Sequence, residues 1–94
     1  MPNGGSWDRF WFVLVGFRNE FGHWPTRVRL PIHVVEALAA HLSPTDRAKV
    51  EAKLELVPGD ALVAEDDEGA RYEYMGPTTP LQERPSDWLR IKWD

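Results

Sequence analysis

Three observations predict an α+β fold, with two or three helices packed on one face of a small, mainly antiparallel β-sheet. Apolar residues recur at helical spacing over Phe10–Phe21 and again over Ile32–Leu42. Polar and apolar residues alternate over Thr26–Leu30, and two short segments, Ala61–Glu65 and Arg71–Met75, flank an acidic turn. The chain has 94 residues and no Cys, enough for one core without covalent staples. Helix and sheet each expose an apolar face that needs cover, and layering one on the other supplies it.

Ser6 ahead of Trp7 and Asp8 reads as a helix N-cap with an acid in the first turn. Phe10, Leu14, Phe17 and Phe21 then fall on one helical face, and Gly22 followed by Trp24-Pro25 ends the run. A buried strand over Phe10–Phe17 is the competing reading, because aromatic residues and Val favour sheets. As a helix the segment carries more apolar surface than one stripe: Trp11 and Val15 flank the Phe row while Phe12 points nearly opposite. Such a helix is either central in its own core or shared with another chain.

Thr26–Leu30 reads as a half-buried strand. Pro31 fits the first position of a second helix, with Ile32, Val35, Leu38, Ala39 and Leu42 as its apolar stripe. Ser43-Pro44-Thr45-Asp46 has the form of a capping box, opening a third helix through Leu54 with Arg47 and Glu51 as an i,i+4 pair. Glu55–Val57 is a brief strand before the Pro58-Gly59-Asp60 turn. Ala61–Glu65 and Arg71–Met75 form a hairpin whose Gly69 suits a bulged turn. One domain is expected over 1–94, with a frayed N-terminus at 1–5 and a Pro-rich extended segment at 77–87. A terminal strand or arm is expected at 88–94, where Leu89, Ile91 and Trp93 share a face.

The charge is −4 overall, but residues 1–47 carry +1 and residues 48–94 carry −5. Coating of duplex nucleic acid is disfavoured, since phosphate binding needs a basic face. The start has no basic leader, and Phe10–Val15 is far too short to cross a bilayer, so a cytoplasmic, membrane-free protein is expected.

Candidate chemistry is sparse. His33 and Glu36 stand at i,i+3 and offer two metal ligands where a site needs three or four, and His41 lies about 80° round the helix from His33. No nucleophile elbow, phosphate-cradling loop or buried carboxylate pair is visible, so no catalytic residue, metal or cofactor is assigned. The acidic run Glu65, Asp66, Asp67 and Glu68 is either a solvated turn or a contact patch for a basic partner. Arg27 and Arg29 project from one strand face near Trp24. They either pair with Asp or Glu of neighbouring elements, the reading the net charge favours, or form a patch that stacks and neutralises single-stranded nucleic acid. Five Trp are present; Trp7 and Trp24 read as core or lid, whereas Trp88 and Trp93 lie in the terminal arm.

The leading expectation is a non-enzymatic protein-binding module. Glu65, Asp66, Asp67 and Glu68 would steer a protein with a basic surface, and Trp11, Phe12 or Trp88 would anchor it. A second copy of the chain is another candidate partner. The alternatives are single-strand nucleic-acid binding through Arg27, Arg29 and Trp24, and a small enzyme or metalloprotein using His33 and Glu36. In general profile, short, acidic and without catalytic machinery, the sequence is similar to phage and mobile-element inhibitors such as anti-CRISPR proteins. That resemblance covers no defined motif and carries over no residue.

Overall fold

Helix α1, Ser6–Phe21, is the centre of the molecule. Phe10, Val13, Leu14, Val15 and Phe17 are all buried, so apolar side chains are enclosed on several sides of the helix. The wide apolar surface read from the sequence is thus the mark of a central helix, packed against strands and two other helices. Gly22, at φ 80°, supplies the left-handed residue that stops it, and its N–H closes on Arg18 O at 2.9 Å.

A computed structural model describes residues 6–81 and 83–91, with side chains from Asp8 onward. The side-chain cap expected of Ser6, the frayed segment 1–5, the side chain of Trp7 and the whole of Trp93 lie outside the described residues.

After α1 come β1 (Arg27–Leu30), α2 (Ile32–His41), α3 (Pro44–Lys53), β2 (Glu55–Pro58), β3 (Val63–Glu65), β4 (Arg71–Glu73) and α4 (Pro85–Leu89). The sheet order is β2-β1-β3-β4, with β1 parallel to β2 and the other pairs antiparallel. The parallel pair is possible because the α2–α3 crossover returns the chain to its starting edge. Val28, Leu56, Ala64 and Tyr72 are aligned by register on the face that the helices cover. The Cα radius of gyration, 12.0 Å, is that of a single domain of this length.

The α3 cap forms as read. Ser43 Oγ accepts the Asp46 N–H at 3.1 Å, Pro44 opens the helix, and Arg47 Nε donates to Glu51 at 3.1 Å. In α2 the apolar stripe is rotated from the expected one. Val34, Leu38 and Leu42 are buried, whereas Ile32 is 69% exposed and Ala39 is exposed as well. The adjacent pair Val34-Val35 satisfies either phase of the pattern, and contact with α1 selects the phase carrying Val34. Pro31 sits one place earlier than expected, as the N-cap.

The expected terminal strand is also corrected. Trp88 and Leu89 end a short helix, α4, which Pro85 opens and Asp87 supports from its first turn. Arg84-Pro85-Ser86-Asp87 shares with Ser43–Asp46 the Pro at the first helical position and the acid in the first turn, though Arg84 makes no side-chain cap. These signals outweigh the alternation. Leu89 and Ile91 still reach the core, as the alternation implied. The Pro-rich extended segment expected at 77–87 is cut short by α4, which begins at Pro85. Residues 77–81 form neither helix nor strand, and Asn19 ties them to α1 by donating to Thr79 O at 3.0 Å and accepting the Leu81 N–H at 3.3 Å.

Candidate functional site

Cross-strand partners share a face, so the register sets Glu55, Arg27, Glu65 and Arg71 abreast on the side of the sheet away from the helices. Their charges alternate in sign. Glu65 is the hub: Oε1 accepts from Arg27 Nε and Oε2 from Arg29 Nε, each at 3.0 Å. Arg27 Nη1 also lies 3.5 Å from Asp67 and 3.6 Å from Glu55. The hydrogen bonds from Arg27 and then Arg29 hold the Glu65 carboxyl below the usual carboxylate range, although burial opposes them. The same hydrogen bond with Glu65 raises Arg27 further above its ordinary value.

Asp66 organises the hairpin. Its Oδ1 accepts the N–H groups of Glu68 and Ala70, both at 2.9 Å, which pins the Asp67-Glu68-Gly69 turn. Gly69 stands at φ 94°, the conformation a three-residue hairpin turn needs there. Oδ2 meets His23 Nε2 at 2.7 Å, and His23 Nδ1 faces Phe21 O at 3.1 Å. Both ring nitrogens therefore face oxygen acceptors. The His23 contact, followed by the two backbone N–H groups, depresses the Asp66 carboxyl against the effect of its burial.

Two members of the acidic run are therefore internal: Asp66 is only 8% exposed and Glu65 is covered by two guanidinium groups. Asp67 and Glu68 remain in solvent. They share a shallow cleft with His23, Thr26 and Asp66. Phe21, whose carbonyl faces His23, is 36% exposed, and its ring is tilted 48° against Phe17 at 4.7 Å between centroids. This corner joins the end of α1 to the β3–β4 turn.

A pH dependence follows from Glu65 and Asp66. Both carboxyls are depressed in the folded state, so the unfolded chain binds more protons between the folded and ordinary values. Their stabilising contribution is complete above the ordinary carboxylate range, near pH 4, and fades as pH falls through it towards the folded values. Urea midpoints between about pH 7 and 3 should fall towards acid. Glu65→Gln, which cannot ionise, should flatten part of that slope. A slope identical in the variant would assign the acid sensitivity to other groups.

The remaining candidates are dispersed. Arg27 and Arg29 are turned to Glu65, while Trp24 stacks on Trp88, 4.6 Å away and 7° from parallel. Arg18 lies over Trp24, Lys53 over Trp88, and Trp24 Nε1 donates to Glu83 at 3.0 Å. The ring faces a nucleobase would need are taken by the neighbouring ring and two cations. Trp11 and Phe12 are half-buried, edge to face at 5.5 Å. His33, Glu36 and His41 are exposed on α2, and among the described residues no three metal-ligating side chains converge. The residues sequence reasoning missed are Phe21 and His23. Asp66 at a turn start was a readable signal, but its partner His23 is 43 positions away. No family model, curated protein or solved structure matches the chain.

Proposed function

We propose that the chain is a non-enzymatic protein-binding module of the inhibitor type, which seats its α1–hairpin corner on a basic surface of a larger protein. One observation carries this reading. The carboxylates of Asp67 and Glu68 project from a turn whose backbone Asp66 holds, and His23 links Asp66 to the end of α1, where Phe21 is exposed. Clustered charge speeds encounter and selects partners, an adjacent aromatic supplies a desolvated anchor, and a pre-set turn lowers the ordering cost of binding. The steering role expected of Glu65 and Asp66 passes to supporting the loop. The anchor role expected of Trp11, Phe12 and Trp88 passes to Phe21.

The test is a double reversal, Asp67→Lys with Glu68→Lys. Asp67 is 77% exposed in its side chain and its contact with Arg27 is long, so unfolding free energy should change by less than about 1 kcal/mol. Anisotropy of a labelled Arg-rich peptide at low salt should report an affinity at least about tenfold weaker than for the wild type. Equal affinity for both proteins would remove the corner from the binding surface.

A further inference from the structure

We propose a second binding surface of opposite sign: the groove between α3 and α4 takes an extended acidic peptide segment of a protein partner. It is independent of the corner. Lys49, Ala52 and Lys53 of α3 form one wall, and Leu89 and Arg90 form the other, around an open hollow of about 550 Å³. In a chain of net charge −4, three cations meet here. Among the described residues Lys53 and Arg90 form no ion pair, and Lys49 only grazes Asp46 at 4.0 Å.

The cations are held in place. Lys49 Nζ donates to Arg90 O at 3.1 Å and Lys53 Nζ to Trp88 O at 2.5 Å, which docks the end of α4 on α3. An ammonium has three N–H donors, so each Lys keeps donors for an incoming carboxylate. Arg90 adds a separate sign. It caps α4 at φ 61° and ψ 45°, the left-handed slot in which glycine is free of strain and any Cβ is penalised. The chain nevertheless carries arginine there, and its side chain is exposed at the groove.

Geometry favours a peptide. Lys49 and Lys53 are one helical turn apart, about 5–6 Å between Cβ atoms, whereas alternate side chains of an extended strand repeat at about 6.5–7 Å. Glutamates at alternate positions therefore reach successive ammonium groups, with a further one at Arg90.

The experiment measures anisotropy of a labelled Glu-Ala-Glu-Ala-Glu peptide on the full chain at low and moderate salt. Saturable binding that weakens with salt is expected, falling at least tenfold in Lys53→Glu and in Arg90→Gly. Arg90→Gly should fold with an equal or higher thermal midpoint, because glycine suits the cap. The Asp67→Lys, Glu68→Lys double variant should bind this peptide at least as well as wild type, which separates the groove from the corner. Absence of salt-sensitive binding, or wild-type affinity in Arg90→Gly, overturns the proposal. Stronger competition by polyphosphate or oligo-dT than by the unlabelled peptide overturns the peptide assignment. Self-association of the chain that excludes the peptide overturns it in favour of a second copy.

Discussion

Phe17→Ala is expected to remove about 3–5 kcal/mol of stability, the usual cost of truncating a fully buried aromatic. Phe17 is wholly enclosed, with its ring 4.7 Å from Phe21 and edge to face with His23 at 5.4 Å. The loss combines transfer of the ring to water with a cavity that the helix cannot close, because Leu14 and Val13 beside it are also fully packed. Domains of this size have only about 5–15 kcal/mol in total, so the variant should lie near its unfolding transition at ambient temperature. Each kcal/mol shifts the thermal midpoint by about 4–8 °C. Urea denaturation checks the value. Phe21→Ala, one turn on but in solvent, should change stability far less, and the contrast separates core from corner. A loss below about 1 kcal/mol for Phe17→Ala would contradict the central position of α1.

The two phenylalanines also mark how far the sequence could be read. Spacing alone places Phe10, Leu14, Phe17 and Phe21 on one face, and the structure buries all but the last. Local chemistry served well: Ser43-Pro44-Thr45-Asp46 caps α3, and Gly69 turns the hairpin, because each involves contacts within a few residues. Reading failed where two local signals competed. Val34 and Val35 fit two phases of α2, and the alternation after Trp88 concealed the helix start at Pro85. The parallel pairing of β1 with β2 depends on how a helix pair crosses over, which no local pattern encodes.

The candidate site was legible in composition but not in detail. Asp67 and Glu68 are the exposed acids that the run of charges implied. Glu65 and Asp66 differ from them only through long-range partners, Arg27, Arg29 and His23, which come from elements 36 to 43 positions earlier. A charge count cannot separate a solvated carboxylate from one that organises a turn. Net charge misled in the same way for the second half of the chain: its excess of acids conceals the cations that line the α3–α4 groove.

Gly16 is the position at which the smallest substitution should do the most damage. It lies in the interior of α1, where glycine normally weakens a helix by about 0.5–1 kcal/mol relative to alanine. Propensity alone therefore predicts that Gly16→Ala stabilises. The structure predicts the reverse, since a Cβ at this position would overlap the outer edge of the Tyr72 ring at Cε2 and Cζ, well within van der Waals contact. Tyr72 projects from β4 on the helix-covered face, aligned with the buried Ala64 and itself half-buried, so its ring must swing away from α1 and give up packing to admit the methyl group. Overpacking of this kind costs about 1–3 kcal/mol, and Gly16→Val should cost more than Gly16→Ala. The decisive measurement is a double-mutant cycle by urea denaturation. Gly16→Ala in a Tyr72→Ala background should lose its penalty and recover the helix-propensity gain, a coupling within the range of about 0.5–3 kcal/mol seen for touching residues. If Gly16→Ala stabilises the unmodified chain, α1 and β4 do not approach as closely as this packing requires.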